Sequence, residues 1–108
     1  MDLSFYQRKA LQTAIYPEES RISYPAMGLA GEVGEVMNKI KKVYRDKGGV
    51  FDTTTKQEIA SELGDVLWYL AVLSQDLGQS LDAVAEKNLN KLADRKDRGV
   101  IAGSGDNR

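Results

Sequence analysis

Histidine and cysteine are both absent from the 108 residues. Without cysteine there is no disulfide and no thiol chemistry. Without histidine the usual general base and the commonest zinc ligand are missing too. Acid–base work must then fall to carboxylates, lysine, tyrosine or a metal-bound water. No run of about 18 apolar residues occurs, so no segment reads as a membrane span. The opening MDLSFYQRKALQ lacks the apolar core of a signal peptide, and the expected location is the cytoplasm. Charge of one sign is also lacking: 15 basic and 16 acidic residues leave a net charge of -1. That balance gives no general attraction to nucleic acid or to an anionic membrane. It does not prevent local Lys or Arg, or a bound metal, from holding a small anion.

What is present is helical periodicity. Hydrophobic content is 42%, ordinary for a soluble protein, and the length suits one modest domain. Leu3, Tyr6, Ala10, Leu11 and Ala14 recur at near-helical spacing, predicting a first helix from Leu3 to about Ile15. A second starts near Ser23 or Pro25 and reaches about Tyr44, with the stripe Leu29, Val33, Val36, Ile40 and Val43. Gly28, Gly31 and Gly34 interrupt it at three-residue spacing, for close helix packing or for backbone access near a ligand. Gly48 stops it. Thr55, with Glu58 three residues on, matches a capping box for the third helix. The stripe of that helix is Ile59, Leu63, Val66, Leu70, Leu73 and Leu77. Gly78 ends it, and Ser80 can cap a fourth helix from Leu81 to about Lys96, with Leu81, Val84, Ala85, Asn88, Leu89 and Leu92 inward. The fold class is therefore all-α: a four-helix bundle over residues 1–98, followed by a glycine-containing tail, 99–108.

Two acidic pairs share one spacing. Glu32 and Glu35 lie in GLAGEVGEVMNKI; Glu62 and Asp65 lie in EIASELGDVLWYLAVL. Each pair sets two carboxylates about one turn apart on one side of a helix. At about 100° per residue, Glu62 and Asp65 flank their stripe, Glu32 lies about 60° from the centre of its own, and Glu35 about 120°. If the margins of the two helices adjoin, the carboxylates converge. Two charges 4 Å apart repel by roughly 4 kcal/mol at an effective dielectric of about 20. A hard divalent cation reverses that term, and magnesium favours carboxylate and phosphate oxygens. Spacing alone leaves two readings open: a metal site and solvated helix margins. Glu35 and Lys39 equally read as a surface i,i+4 pair.

These residues carry a resemblance. LAGEVGEV, ELGDVLWYL, NLNKLADRKDRG and GSGDNR are similar to the MazG-like all-α nucleoside triphosphate pyrophosphohydrolases over nearly the whole chain. The resemblance implies cleavage of a nucleoside triphosphate between its α and β phosphates, giving the monophosphate and pyrophosphate. It implies that Glu32, Glu35, Glu62 and Asp65 bind Mg2+, with Mn2+ a possible substitute, and that Glu35 or Glu62 orients or deprotonates the attacking water. Asn88 and Lys91 are then expected to hold base, sugar or phosphate groups, with Arg95 beside them. Tyr69 would stack on a base or hydrogen-bond near the metal. Lys39 would steer phosphate or offset the acidic cluster, and Trp68 would fill a core or an interface. The tail Gly103–Arg108 is expected by default to be a loose terminus, with folding over a neighbouring subunit or contact with substrate as the other readings, and Arg108 a candidate contact to that subunit. A homo-oligomer is implied, a tetramer ahead of a dimer. A related dUTP/dUDP or pyrimidine nucleotide hydrolase and a non-catalytic helical oligomerisation module are the competing readings.

Overall fold

The computed structural model describes residues 1–108. Four α-helices follow one another: α1 (Leu3–Leu11), α2 (Ser23–Asp46), α3 (Thr53–Asp76) and α4 (Leu81–Asp97), with a single 3-10 turn at Glu18–Ser20. The all-α four-helix bundle is as expected. None of the helices is long and apolar enough to cross a membrane.

The helix ends follow local chemistry. Asp2 caps α1 through a bond from the Phe5 N–H at 2.8 Å, and Ser80 caps α4 through one from Ala83 at 3.0 Å. α1 stops at Leu11, short of Ile15, because Thr13 and Ala14 turn back on the carbonyls of Ala10 and Leu11 in 3-10 fashion. α3 starts two residues before Thr55. Asp52 is its cap, accepting from the Thr55 N–H at 2.8 Å, so the Thr55–Glu58 capping box does not form. Thr55 is buried, and its hydroxyl accepts from Lys47 Nζ at 2.7 Å. Gly78 adopts φ +72°, which lets the Gln79 N–H reach Ser74 O and turns the chain sharply from α3 into α4.

α2 and α3 form the main antiparallel pair, joined by a short loop; α1 and α4 pack on the C-terminal half of α3. The core there consists of Ala10, Ala71, Val72 and Leu81. Gln7 stitches it together. Its buried amide donates to Ala71 O at 3.0 Å and Gln79 O at 3.2 Å, and its oxygen accepts from the Leu81 N–H at 2.9 Å. Trp68 packs against the same core and donates from Nε1 to Thr13 Oγ1 at 2.8 Å.

Asp76, at the end of α3, ties down the α1–α2 connection. It accepts from Tyr16 Oη at 2.7 Å, the Ile22 N–H at 2.9 Å and Arg21 Nε at 3.4 Å. Ile22 sits at φ 69°, ψ -58°, and the Ser23 N–H bonds Arg21 O at 2.8 Å. This is a γ-turn of the strained, positive-φ kind, occupied by a β-branched residue.

The apolar stripes are only half covered. On α3, Ile59, Val66 and Leu73 are partly buried, whereas Leu63, Leu70 and Leu77, seven residues apart, face outward. Val33 on α2 and Val84, Leu89 and Leu92 on α4 are exposed too, contrary to the inward placement their spacing suggests. Four helices in this arrangement cannot surround one another. The Cα radius of gyration is 16.8 Å, against about 13 Å for a compact domain of this length. Accessible surface is 7573 Å², against about 6,000 Å² for a folded monomer of this mass.

Candidate active site

Glu32 comes from α2, and Glu62 and Asp65 from the facing stretch of α3. One carboxylate oxygen from each lies within 4.8 Å of the others. Glu32 and Glu62 are partly buried; Asp65 is open to solvent. The convergence follows from antiparallel pairing of two helices whose acids stand on the margins of their packed stripes. Glu35 is exposed and stands outside this trio. One turn along α2, it is farther round from the packed stripe than Glu32.

The charges register the crowding. The Glu32 carboxyl is pushed above the usual range, first by burial, then by the adjacent Glu62 carboxyl and the charges of Asp65, Glu62 and Glu35. Lys39 Nζ stands 3.7 Å from Glu62 Oε1, a single cation against the cluster. Three hard oxygen donors with no nitrogen or sulfur partner form a donor set suited to a divalent cation such as magnesium.

A wall of aromatic rings adjoins the carboxylates. Tyr69 is raised in pKa by burial, then by Tyr24, Glu32 and Asp65, which places its phenol in the field of the cluster. Gly28 makes room for it: a Cβ at that position would lie 2.1 Å from Tyr69 Cε1. Gly31 and Gly34 have no such neighbour, so close packing accounts for Gly28 alone. Trp68 meets Tyr69 edge-on at 4.9 Å, and Tyr24 stacks on Tyr16 at 4.8 Å. Tyr6 of α1 also feels Asp65, after the larger effect of burial, which raises its pKa. Tyr6 and Tyr24 were not among the residues singled out from sequence. Tyr6 has the spacing of a core residue, and Tyr24 lies near the start of its helix; neither position signals proximity to the acids.

The cationic candidates on α4 lie apart from the trio. Asn88 and Lys91 line a cleft of about 870 Å³ between α4 and the tail, and no residue of the carboxylate cluster lines it. Arg95 is buried, and its guanidinium bonds to Asp106 in the tail. The tail itself is folded back along α4 instead of trailing. Arg108 bonds to backbone within it, through Val100 O, Gly105 O and Ile101 O.

The family model described as the MazG nucleotide pyrophosphohydrolase domain matches residues 23–100. The chain belongs to this family. As a MazG-domain protein it is a hydrolase of the class that acts on phosphoric anhydrides. The match covers α2 to α4 with the first turn beyond, and leaves α1 and residues 101–108 outside. The Gene 37 protein of Mycobacterium phage L5 is 50% identical over 114 residues, covering 100% of both chains. No solved structure matches the chain.

Proposed function

We propose that this chain cleaves a nucleoside triphosphate between its α and β phosphates, releasing the monophosphate and pyrophosphate, with magnesium as the cofactor. The observation that carries the reading is the Glu32–Glu62–Asp65 trio, within 4.8 Å, in a chain of this family. Magnesium, when bound, supplies positive charge to the phosphate oxygens and lowers the pKa of a bound water. The chain's own residues do the rest. Glu32, Glu62 and Asp65 hold the cation, and Lys39, 3.7 Å from Glu62, offsets part of the local negative charge. Glu35, outside the trio, is free to orient the attacking water and accept its proton at a carboxylate oxygen. Tyr69 borders the reacting phosphates, Lys91 and Asn88 hold the nucleotide, and Arg95 secures the tail beside them. No protein nucleophile is needed, so the missing cysteine and histidine cost the reaction nothing.

The active form in this reading is a homo-oligomer, a tetramer built from two dimers, acting in the cytoplasm where nucleoside triphosphates abound. The excess of accessible surface and the uncovered leucines of α3 support assembly. Joining subunits would also bring α4 residues of one chain toward the carboxylates of another.

The test is incubation with each canonical ribo- and deoxyribonucleoside triphosphate and dUTP, with magnesium or with EDTA, and identification of every product. Monophosphate and pyrophosphate, formed only with metal, are the expected result. Turnover of dUDP alongside dUTP, with purines untouched, would move the assignment to a pyrimidine diphosphohydrolase. No turnover of any of these would shift the assignment to a noncanonical or alarmone nucleotide, or to a non-catalytic helical module.

A further inference from the structure

The segment after α4 is a built strap. Gly99, at φ +72°, closes α4 with a bond from the Val100 N–H to Arg95 O at 2.8 Å and sends the chain back along the helix. Arg108 then fastens the strap to itself. Its Nε donates to Val100 O at 3.0 Å, and its Nη1 and Nη2 donate to Gly105 O at 2.6 Å and Ile101 O at 2.8 Å. Arg98 Nη2 donates to Arg108 O at 2.6 Å.

One residue latches this strap to α4. Asp106 Oδ1 accepts from Lys91 Nζ at 2.8 Å and from Arg95 Nη2 at 3.1 Å, and the Asp106 carbonyl accepts from Arg95 as well. Arg95 is 5% exposed, so the latch has a fixed, buried root. Its outer half is open to water: the Asp106 side chain is 75% exposed and that of Lys91 39%. The carboxyl of Asp106 lies below its ordinary range because of the bonds from Lys91 and Arg95.

The latch creates the cleft described above. Asp106 and Asn107 form its strap side; Lys87, Asn88, Asn90 and Lys91 form its helix side. Among the residues lining the cleft, two cations, Lys87 and Lys91, stand with one carboxylate, Asp106, so the cleft stays attractive to an anion. Lys91 has three ammonium hydrogens, and Asp106 engages one, which leaves two donors. A free lysine on a four-carbon stem would first have to be ordered.

We propose that Asp106 is a positioning residue for a phosphorylated nucleotide: it docks the strap on Arg95 to form the second wall of the α4 cleft, and it holds Lys91 ready for a substrate phosphate. This rests on the reading that Lys91 and Asn88 hold nucleotide. Asp106 and Asn107 lie beyond the stretch matched to the family, and sequence periodicity assigned them nothing. Binding is strengthened here by pre-organisation, since less freedom is lost when the ligand arrives.

The test compares wild type, Asp106→Ala and Asp106→Glu in two assays. One is steady-state turnover of the preferred triphosphate with magnesium. The other is a calorimetric titration with inorganic triphosphate, which reads the cleft whether or not any nucleotide is hydrolysed. Asp106→Ala is expected to raise KM by about tenfold, with kcat within about twofold, and to weaken triphosphate binding by a similar factor. Asp106→Glu should recover part of the loss. An unchanged KM, or a lower one as expected of a carboxylate that merely blocks Lys91, overturns the proposal. So does wild type that fails to bind triphosphate, or equal affinity in wild type and Asp106→Ala. If no nucleotide turns over but binding still drops in Asp106→Ala, the proposed reaction falls and the positioning role stands. Should Asp106→Ala lose its helices by circular dichroism, Asp106→Asn takes its place: it keeps the size of the side chain and removes the charge that holds Lys91 and Arg95. Severalfold weaker binding then supports the proposal, and unchanged binding overturns it.

Discussion

Asp76 is held below the ordinary carboxylate range even though burial alone would raise it; bonds from the Ile22 N–H, Tyr16 Oη and Arg21 outweigh that burial. The sign of the consequence follows from linkage. A depressed carboxyl pKa contributes stability that is present above the unfolded value and lost as pH falls through the folded one. Asp76→Asn should therefore lower the melting temperature at pH 7 by roughly 4–8 °C, the equivalent of about 1 kcal/mol. The gap from wild type should close below about pH 4. A gap that is constant from pH 7 to pH 3 would remove Asp76 from this role. Tyr16 is the converse case. Burial and Asp76 push its phenol up to about 12, so its hydroxyl remains a donor throughout the neutral range, and its contribution is lost only as pH rises toward that value. Among the acids, Glu62→Gln should abolish metal-dependent turnover while far-UV circular dichroism stays helical, because it removes a proposed cation ligand and not a packing contact. Wild-type activity in that variant would sink the proposed centre.

At the scale of helices, spacing made much of the molecule legible. The four elements, the stops at Gly48 and Gly78 and the Ser80 cap all follow from rules that act within a few residues. The same rules could not choose between Asp52 and Thr55 as the α3 cap. Both are good caps, and what decides is where each side chain goes: Thr55 is buried beneath Lys47, and Asp52 is left to bond the free N–H. Of the four acids read from the sequence, Glu32, Glu62 and Asp65 come together, as a wheel that shows which side of a helix a residue stands on allows. It does not show how far round the partner helix reaches, which is why Glu35 falls outside the trio. The strap was not legible, because its bonds join side chains to backbone in a segment without periodicity. The glycines of α2 give an element-level test. Gly28→Ala would press a methyl into the Tyr69 ring, and a loss of about 1–3 kcal/mol is expected in chemical denaturation. Gly31→Ala meets open space within the chain and should gain about 0.5–1 kcal/mol from helix propensity. Should Gly31→Ala instead destabilise the protein, that face of α2 is in contact with another subunit.

The whole molecule carries more surface than its mass requires. About 1,600 Å² beyond the monomer expectation, with Leu63, Leu70 and Leu77 aligned on one side of α3, is the quantity a substantial subunit interface removes. Sedimentation velocity at micromolar concentration should return a species about four times the chain mass of 11.9 kDa. A monomer there would refute the assembly outright. Leu70→Lys should shift the distribution toward smaller species, because a charge on the uncovered stripe gains nothing from solvent exposure and is costly when buried. The α2–α3 hairpin has a further bearing on how such an assembly arises. Its two helices are neighbours in sequence and carry every acidic residue of the centre. Contacts between neighbours form quickly and need no distant loop to close. During synthesis the hairpin leaves the ribosome before α4, so the nascent chain can gather its carboxylates, and any cation they attract, before the strap exists to complete the cleft.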